Sequence, residues 1–227
     1  MIRRFAGAAF AFGAAAMASP ATAAGGADVI DDAAVETPGT CHFESWITLA
    51  SGGSRLANLG PACTPRALPN LELGGFITHS WAPGSGDTMI GLAPKLMLRS
   101  ESRGLGIAVS ASLGYGLQRH RIETDSVTVP LTIPVSSWLR ANFNLGWRWS
   151  ALTHRSDIFV GGQTEIALNR RLALMAEAFT LDRGKAGEQL RLRWTPGKGF
   201  VDIDLIGGRY VDGVARDAIT FGVTLRH

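Results

Sequence analysis

Apolar residues occupy every second position over long stretches of this sequence, and this alternation constrains its fold most. From 127 to 135, every odd-numbered residue is Val, Leu or Ile, and the residues between them are Thr or Pro. The pattern recurs at 139–149, 157–169, 189–194, 201–205 and 219–226, and less regularly at 71–81, 89–99 and 105–118. A period of two is the side-chain period of a β-strand. The sequence therefore predicts an all-β protein.

Two architectures contain many alternating strands. A soluble sandwich or barrel turns its apolar face inward, whereas a transmembrane barrel turns that face towards lipid. Segments of nine to eleven residues or more match the length needed to cross a bilayer obliquely. Small and charged residues recur on the polar face, and aromatic residues fall near segment ends, as in an interfacial girdle. These aromatic residues are Trp81, Trp138, Trp147, Trp149, Trp194 and Tyr210. We expect a transmembrane antiparallel up-and-down β-barrel, with a soluble periplasmic sandwich as the alternative.

The N-terminal residues have the pattern of a secretory signal peptide. Arg3 and Arg4 precede an apolar run at residues 5–17, and small residues at 21–23 suit a cleavage site. We predict a signal peptide at 1–23, a short solvated periplasmic lead-in at 24–40, and a barrel at 41–227. Removing the signal leaves 20 Lys and Arg against 19 Asp and Glu. A nearly neutral chain gives no reason to expect nucleic-acid binding.

The two cysteines bear on the number of strands. In an oxidising compartment Cys41 and Cys63 are the only candidates to pair with each other. If residues 42–50 and 55–62 form a hairpin, both cysteines lie at its base, and the strand count becomes an even twelve. Bacterial single-chain barrels normally have an even number of strands. The hairpin thus predicts both the disulfide and about twelve strands.

The polar face of the strands carries equal numbers of acidic and basic side chains, which we expect to line the barrel lumen. The acids are Glu44, Glu72, Glu165, Glu177, Asp202 and Asp204, and the bases are Lys95, Arg140, Arg148, Arg191, Arg193 and Arg226. A turn at 196–199 would place Arg193 opposite Asp202 and Arg191 opposite Asp204, and such opposed charges stabilise sheets. The lumen charges are either a constriction that sorts solutes or a salt-bridged plug, and balanced charge favours the plug.

Other motifs are weaker. Pro130 and Pro134 lie on a polar face and predict bulges or bound water, because proline cannot donate to the ladder. His154 and Ser156 match the His-x-Ser spacing of outer-membrane lipid hydrolases, but a solvated loop is the favoured interpretation. The five histidines lack metal-ligand spacing, and no phosphate-binding loop is present. We expect no catalytic residues, no metal and no cofactor.

Several segments resemble a family of proteobacterial outer-membrane barrels, the MetA-pathway-of-phenol-degradation or transporter-like group. The similar segments are residues 30–33, 39–46, 61–63, 70–73, 142–147 and 219–225, with the strands around Glu165 and Glu177. The resemblance implies an outer-membrane barrel in contact with lipid and with the barrel-assembly machinery. We therefore expect a passive transporter or channel for small solutes. The alternatives are a closed structural barrel and, less favoured, a lipid hydrolase using His154 and Ser156.

Overall fold

The computed structural model describes residues 27–181, 185–211 and 216–227, and the predicted signal peptide lies outside these residues. It contains thirteen β-strands: β1 (Cys41–Ala50), β2 (Arg55–Cys63), β3 (Leu71–Ala82), β4 (Ser85–Leu92), β5 (Lys95–Arg99), β6 (Gly106–Gly116), β7 (Arg121–Pro134), β8 (Leu139–Ser150), β9 (Arg155–Ala167), β10 (Leu172–Leu181), β11 (Gly187–Trp194), β12 (Val201–Arg209) and β13 (Ala218–Arg226). In this part of the chain no helix is long and apolar enough to cross a membrane.

The strands form one closed antiparallel sheet. Strands that are neighbours in sequence pair with each other, except β4 with β5, and β1 pairs with β13 to close the barrel. β4 and β5 both lie between β3 and β6, so they are two halves of one interrupted strand. The sheet is therefore a barrel of twelve strand positions, which confirms the predicted fold class.

Proline accounts for the interruption between β4 and β5. The sequence predicts one strand at 89–99, but Ala93 and Pro94 separate its two halves, and Pro94 has no N–H to donate. The backbone still bridges to both neighbours, since Ala93 N donates to Gly74 O at 2.9 Å and Ala111 N donates to Pro94 O at 3.0 Å. The barrel wall is thus continuous at this point.

Of the two alternatives predicted for Pro130 and Pro134, bulges or bound water, the bulges are absent from the pairing of β7 with β8. Both prolines lie in β7, and the register of β7 with β8 runs without a shift from Thr124 to Pro134. The shifts that the structure records are instead in the pairing of β6, between Gly114 and Tyr115 and opposite Met97 and Arg99. A strand can thus carry both prolines without losing register.

The apolar face of the sheet lies on the outside. Leu145, Leu190 and Phe221 are each more than half exposed, whereas Asn144, Arg191 and Thr220 beside them are buried. Four of the predicted girdle aromatics, Trp81, Trp138, Trp147 and Trp194, are also exposed. An apolar outer face and a polar inner face are the arrangement of a transmembrane barrel.

The predicted disulfide is present at the base of the first hairpin. Cys41 and Cys63 are directly opposite each other in the pairing of β1 with β2. Their sulfur atoms are bonded, and their Cα atoms lie 4.0 Å apart. The bond fixes the end of the hairpin that joins β13 on one side and β3 on the other.

Loss of this bond should destabilise the barrel measurably. Closing a loop of 22 residues is worth about 3 kcal/mol in the chain-entropy model. We expect the Cys41→Ser/Cys63→Ser variant to unfold in urea at a lower concentration than the parent, with a loss of this size. The parent under reducing conditions is the control and should match the variant. Equal midpoints for variant and oxidised parent would show that the bond is dispensable.

Candidate functional site

Residues 27–36 lie inside the barrel, and we call them the inner segment. The sequence predicts a solvated lead-in here, and this is wrong for these residues. Ile30 and Asp32 are completely buried, and Ala33 and Glu36 are nearly so. The physical reason is that a twelve-strand barrel is wider than its own side chains fill, so its lumen has room for an extra piece of chain. The acidic residues of the segment then meet bases on the strands.

Side chains of the barrel wall satisfy the backbone of the inner segment. Val29 N donates to Glu177 Oε2 at 3.1 Å, Asp31 N to Asn144 Oδ1 at 2.8 Å, and Ala33 N to Thr132 Oγ1 at 2.8 Å. Further along, Glu36 N donates to Glu72 Oε2 at 2.9 Å. In the other direction, Asn144 Nδ2 donates to Asp31 O at 2.7 Å. The segment is therefore held along its length by strands β3, β7, β8 and β10.

Ion pairs join the carboxylates of the inner segment to bases on four strands. Asp28 Oδ2 lies 2.5 Å from Arg191 Nη1, and Asp31 Oδ1 lies 2.8 Å from Lys95 Nζ. Asp32 lies between two bases, 3.2 Å from Lys95 Nζ and 2.6 Å from Arg140 Nη2. Glu36 Oε1 accepts from Arg226 Nε at 2.9 Å. Buried charges of this kind are tolerated only when paired, so each carboxylate fixes the segment at one point.

An apolar contact adds to the polar ones. Ile30 packs against Phe159 and Phe179, which project inward from β9 and β10. A Cβ at Gly161 would overlap Ile30 Cδ1, so glycine there leaves the space that Ile30 fills. Neither aromatic residue is among the side chains predicted to line the lumen. A signal was present, because Phe159 and Phe179 fall on the polar phase of their strands, in step with Asp157, Gln163 and Glu177.

The hairpin of β11 and β12 is paired two residues away from the predicted register. Arg193 lies opposite Asp204, not Asp202, and Arg191 lies opposite Ile206, not Asp204. Arg193 bonds Asp204 through Nε at 2.9 Å and Nη2 at 3.0 Å. The turn is longer than predicted. The predicted register puts Thr195 opposite Phe200, whereas in the structure the Thr195 hydroxyl donates to Asp202 Oδ1 at 2.6 Å. A shift of two residues keeps every side chain on its face.

The remaining charges predicted to line the lumen are buried or half-buried, and several have partners other than a charged strand neighbour. Glu177 accepts from the amides of Gln163 and Gln189, at 2.5 and 2.8 Å. Arg148 stacks on the ring of Phe159, 3.5 Å from its centroid. Glu165 lies 3.5 Å from Arg140. Glu44 lies 3.5 Å from His42 Nε2. Four of the six bases predicted to line the lumen, Lys95, Arg140, Arg191 and Arg226, contact the inner segment instead.

Glu36 is the centre of a small cluster near one end of the lumen. His42 Nδ1 lies 3.5 Å from Glu36 Oε1, and Arg226 also donates to Asp202 at 2.7 Å. Burial acts to raise the pKa of Glu36, but the nearby His42 and the hydrogen bond from Arg226 outweigh it and leave the pKa below its usual value. Glu36 is therefore ionised at neutral pH, as its ion pair with Arg226 requires.

Two cavities adjoin the inner segment. One, of about 410 Å³, lies between the segment and the wall formed by β1–β3 and β5–β7, and polar or small side chains such as Asn58, Thr78, Ser110 and Ser112 line it. The other, of about 900 Å³, lies at the end of the barrel where Glu101, Trp138 and Lys198 are found. Glu36 and Arg226 line the second cavity, and their partner His42 lines the first. The Glu36 cluster therefore separates the two spaces.

His154 and Ser156 lie at the rim of the barrel. Both are exposed, His154 in the turn after β8 and Ser156 at the start of β9. Ser156 is opposite Trp149 in the ladder. Neither residue lines the two cavities described above.

A family model described as Uncharacterised conserved protein UCP029691 matches residues 13–227. No curated protein matches the sequence significantly. The resemblance to the phenol-degradation or transporter-like group is therefore not confirmed, although its main implication, an outer-membrane type of barrel, agrees with the structure.

Solved structures of outer-membrane barrels share the fold at very low sequence identity. A KdgM porin aligns with a TM-score of 0.64 and 9% identity, covering 81% of this chain and 98% of its own. The COG4313 outer membrane channel from Pseudomonas putida F1 aligns with a TM-score of 0.62 and 8% identity, covering 86% and 97%. A NanC porin aligns with a TM-score of 0.60 and 8% identity, covering 82% and 98%. These similarities establish the fold, which this chain shares with porins and with an outer membrane channel.

Proposed function

The chain belongs to the family described as Uncharacterised conserved protein UCP029691, and we propose that it works in the outer membrane as a passive channel for small solutes. In this proposal residues 1–23 direct export, the barrel-assembly machinery inserts the protein, and outer-membrane lipid covers the apolar outer face. The lumen-facing side chains of the strands then border the path of the solute. The fold supports this proposal, and the main evidence for it is a cavity inside the barrel.

The observation that carries the proposal is the cavity beside the inner segment, which both polar and apolar side chains line. Its volume of about 410 Å³ is large enough for a small solute with water. Asn58, which is buried and lines this cavity, has an amide nitrogen without a hydrogen-bond partner among the described residues. Buried polar atoms in proteins normally have partners, and water or a solute oxygen in the cavity would supply one. A dry, fully packed barrel would have neither feature.

Proteins of the same fold give a precedent for a polar solute in the lumen. One of the aligned KdgM porin structures is a complex with disordered oligogalacturonate, and its TM-score with this chain is 0.61 at 11% identity. At that identity the solute of the neighbour does not transfer to this chain. The precedent supports only the class of function, which is passage of a small polar molecule through the barrel.

A closed structural barrel is the second candidate, and the anchoring of the inner segment favours it. Four carboxylates of the segment are ion-paired, and Ile30 is buried between two aromatic rings. Such a segment could seal the lumen permanently. The two candidates differ in what they predict for conductance.

Planar-bilayer recordings test the proposal. We expect the folded full-length chain to give a small conductance, limited by the space beside the inner segment. A variant without residues 27–36 should also conduct. Heat-unfolded protein from the same preparation is the control and should give none. If the full-length chain does not conduct, the native barrel is a closed structure and the proposed channel is wrong, and conductance by the shortened variant alone would identify the inner segment as the seal.

A further inference from the structure

The inner segment changes the charge of the lumen. The strand faces alone contribute six acids and six bases to the predicted lumen set. Residues 27–40 add Asp28, Asp31, Asp32 and Glu36, and they contain no Lys, Arg or His. The predicted lumen set, which is balanced without the segment, is therefore acidic with it. This difference bears on which ions can use the remaining space.

The bases near the cavity are occupied. Among the described residues, Lys95 is the only Lys or Arg that borders it, and its buried ammonium has Asp31 at 2.8 Å and Asp32 at 3.2 Å. Arg191 and Arg140 contact Asp28 and Asp32 on the other side of the segment. Their positive charge is therefore directed at the segment and is largely neutralised before it reaches the cavity.

Carboxylates, in contrast, face the cavity. Asp28, Asp31, Glu44 and Glu72 border it, against Lys95 and His42. The Asp31 side chain stays 32% exposed despite its contact with Lys95. Glu44 lies opposite Gly60, which has no side chain to cover it, and His42 is its ion-pair partner at 3.5 Å. The wall of the cavity thus has an excess of negative charge.

Two neutral groups border the same space. Trp46 borders the cavity and lies opposite Asn58 in the ladder, and an indole face attracts cations. The Asn58 amide nitrogen, which has no hydrogen-bond partner among the described residues, can donate to a water molecule in the cavity. An anion entering the cavity would meet the carboxylates first, and in a confined, poorly screened space like charges repel strongly.

We propose that the inner segment makes this channel selective for small cations, with Glu44, Glu72 and Asp31 forming the selective wall. The inference rests on the proposed channel function and names its solute class. The segment acts in two ways: it supplies carboxylates, and it neutralises strand bases that would otherwise attract anions. Removing the segment reverses both effects.

Reversal potentials in a KCl gradient test this proposal, with solutions kept at about 0.1 M or below, where the screening length is about 10 Å or more. We expect the full-length chain to prefer K⁺ over Cl⁻. Glu44→Gln should lower the permeability ratio by roughly two- to fivefold, the effect of one unit charge close to a narrow path. Glu188→Gln is the matched control, since Glu188 is exposed, and it should leave the ratio unchanged. The variant without residues 27–36 should shift towards Cl⁻.

The outcomes separate this inference from the function on which it rests. A conducting full-length chain that is unselective or prefers Cl⁻ overturns the cation selectivity and leaves the channel intact. Conductance by the shortened variant alone overturns the channel function of the native chain together with its selectivity, because the segment is then a seal and not a selective wall. Absence of conductance in both proteins overturns the channel itself.

Discussion

Deleting residues 27–36 is expected to raise the single-channel conductance of the barrel several-fold. The segment runs through the lumen, and its side chains are buried between opposite walls. Barrels with more strands than about eight leave space inside that side chains alone do not fill. With the segment gone, that space joins the cavity of about 410 Å³ and becomes one wider path. Bilayer recordings on deletion variant and parent measure the difference directly.

A substitution tests the same point without shortening the chain. Ile30→Asp puts a carboxylate into the buried apolar contact with Phe159 and Phe179, where burial of a charge is costly. We expect it to release the segment and raise conductance in the direction of the deletion. Thr37→Ala, at an exposed position just after the segment, should conduct like the parent. Unchanged conductance in both the deletion and Ile30→Asp would show that the segment does not obstruct the path.

Replacing Arg193 by Leu is expected to cost about 3–5 kcal/mol of folding free energy, the usual effect of removing one partner from a buried ion pair. Arg193 is 4% exposed, bonds both oxygens of Asp204, and lies 3.4 Å from Asp202. Without Arg193, the buried carboxylates of Asp202 and Asp204, which lie side by side on one strand, lose a shared positive partner. Urea unfolding of the detergent-solubilised barrel gives the free energy.

An exposed arginine on the same sheet is the matched control. Arg209 is 48% exposed and pairs loosely with Glu188 and Asp217, at 4.0 and 3.6 Å. Arg209→Leu should change stability by no more than about 1 kcal/mol. Adding Asp204→Leu to Arg193→Leu should recover part of the loss, because the pair is then replaced by apolar groups. Equal losses for Arg193→Leu and Arg209→Leu would contradict the burial of the Arg193 network.

The barrel itself could be predicted from the sequence because its determinants are local. Alternation over 127–135 requires only that neighbouring residues face opposite sides of a sheet. The hairpin of Cys41 and Cys63 followed from parity and from the oxidising compartment that a signal peptide implies. These arguments involve no long-range geometry, and the twelve strand positions and the disulfide confirm them.

The inner segment and the β11–β12 register could not be predicted in the same way. Asp28, Asp31, Asp32 and Glu36 look solvated in sequence because acidic residues usually are, and their bases lie between 63 and 190 positions away. The register depends on the length of the turn after Trp194, and a shift of two residues changes the opposed pairs without changing their face. Pairing in the lumen is thus set by three-dimensional closure.

Hydrogen–deuterium exchange of residues 27–40 in the native, detergent-solubilised protein tests the central claim most directly. The amides of Val29, Asp31, Ala33 and Glu36 donate to side chains of the barrel wall, so the peptide that contains them should exchange slowly. The account predicts protection of this peptide comparable to that of the neighbouring strands, and its loss in Ile30→Asp. Complete exchange within seconds in the parent protein would place the segment outside the lumen and contradict the account.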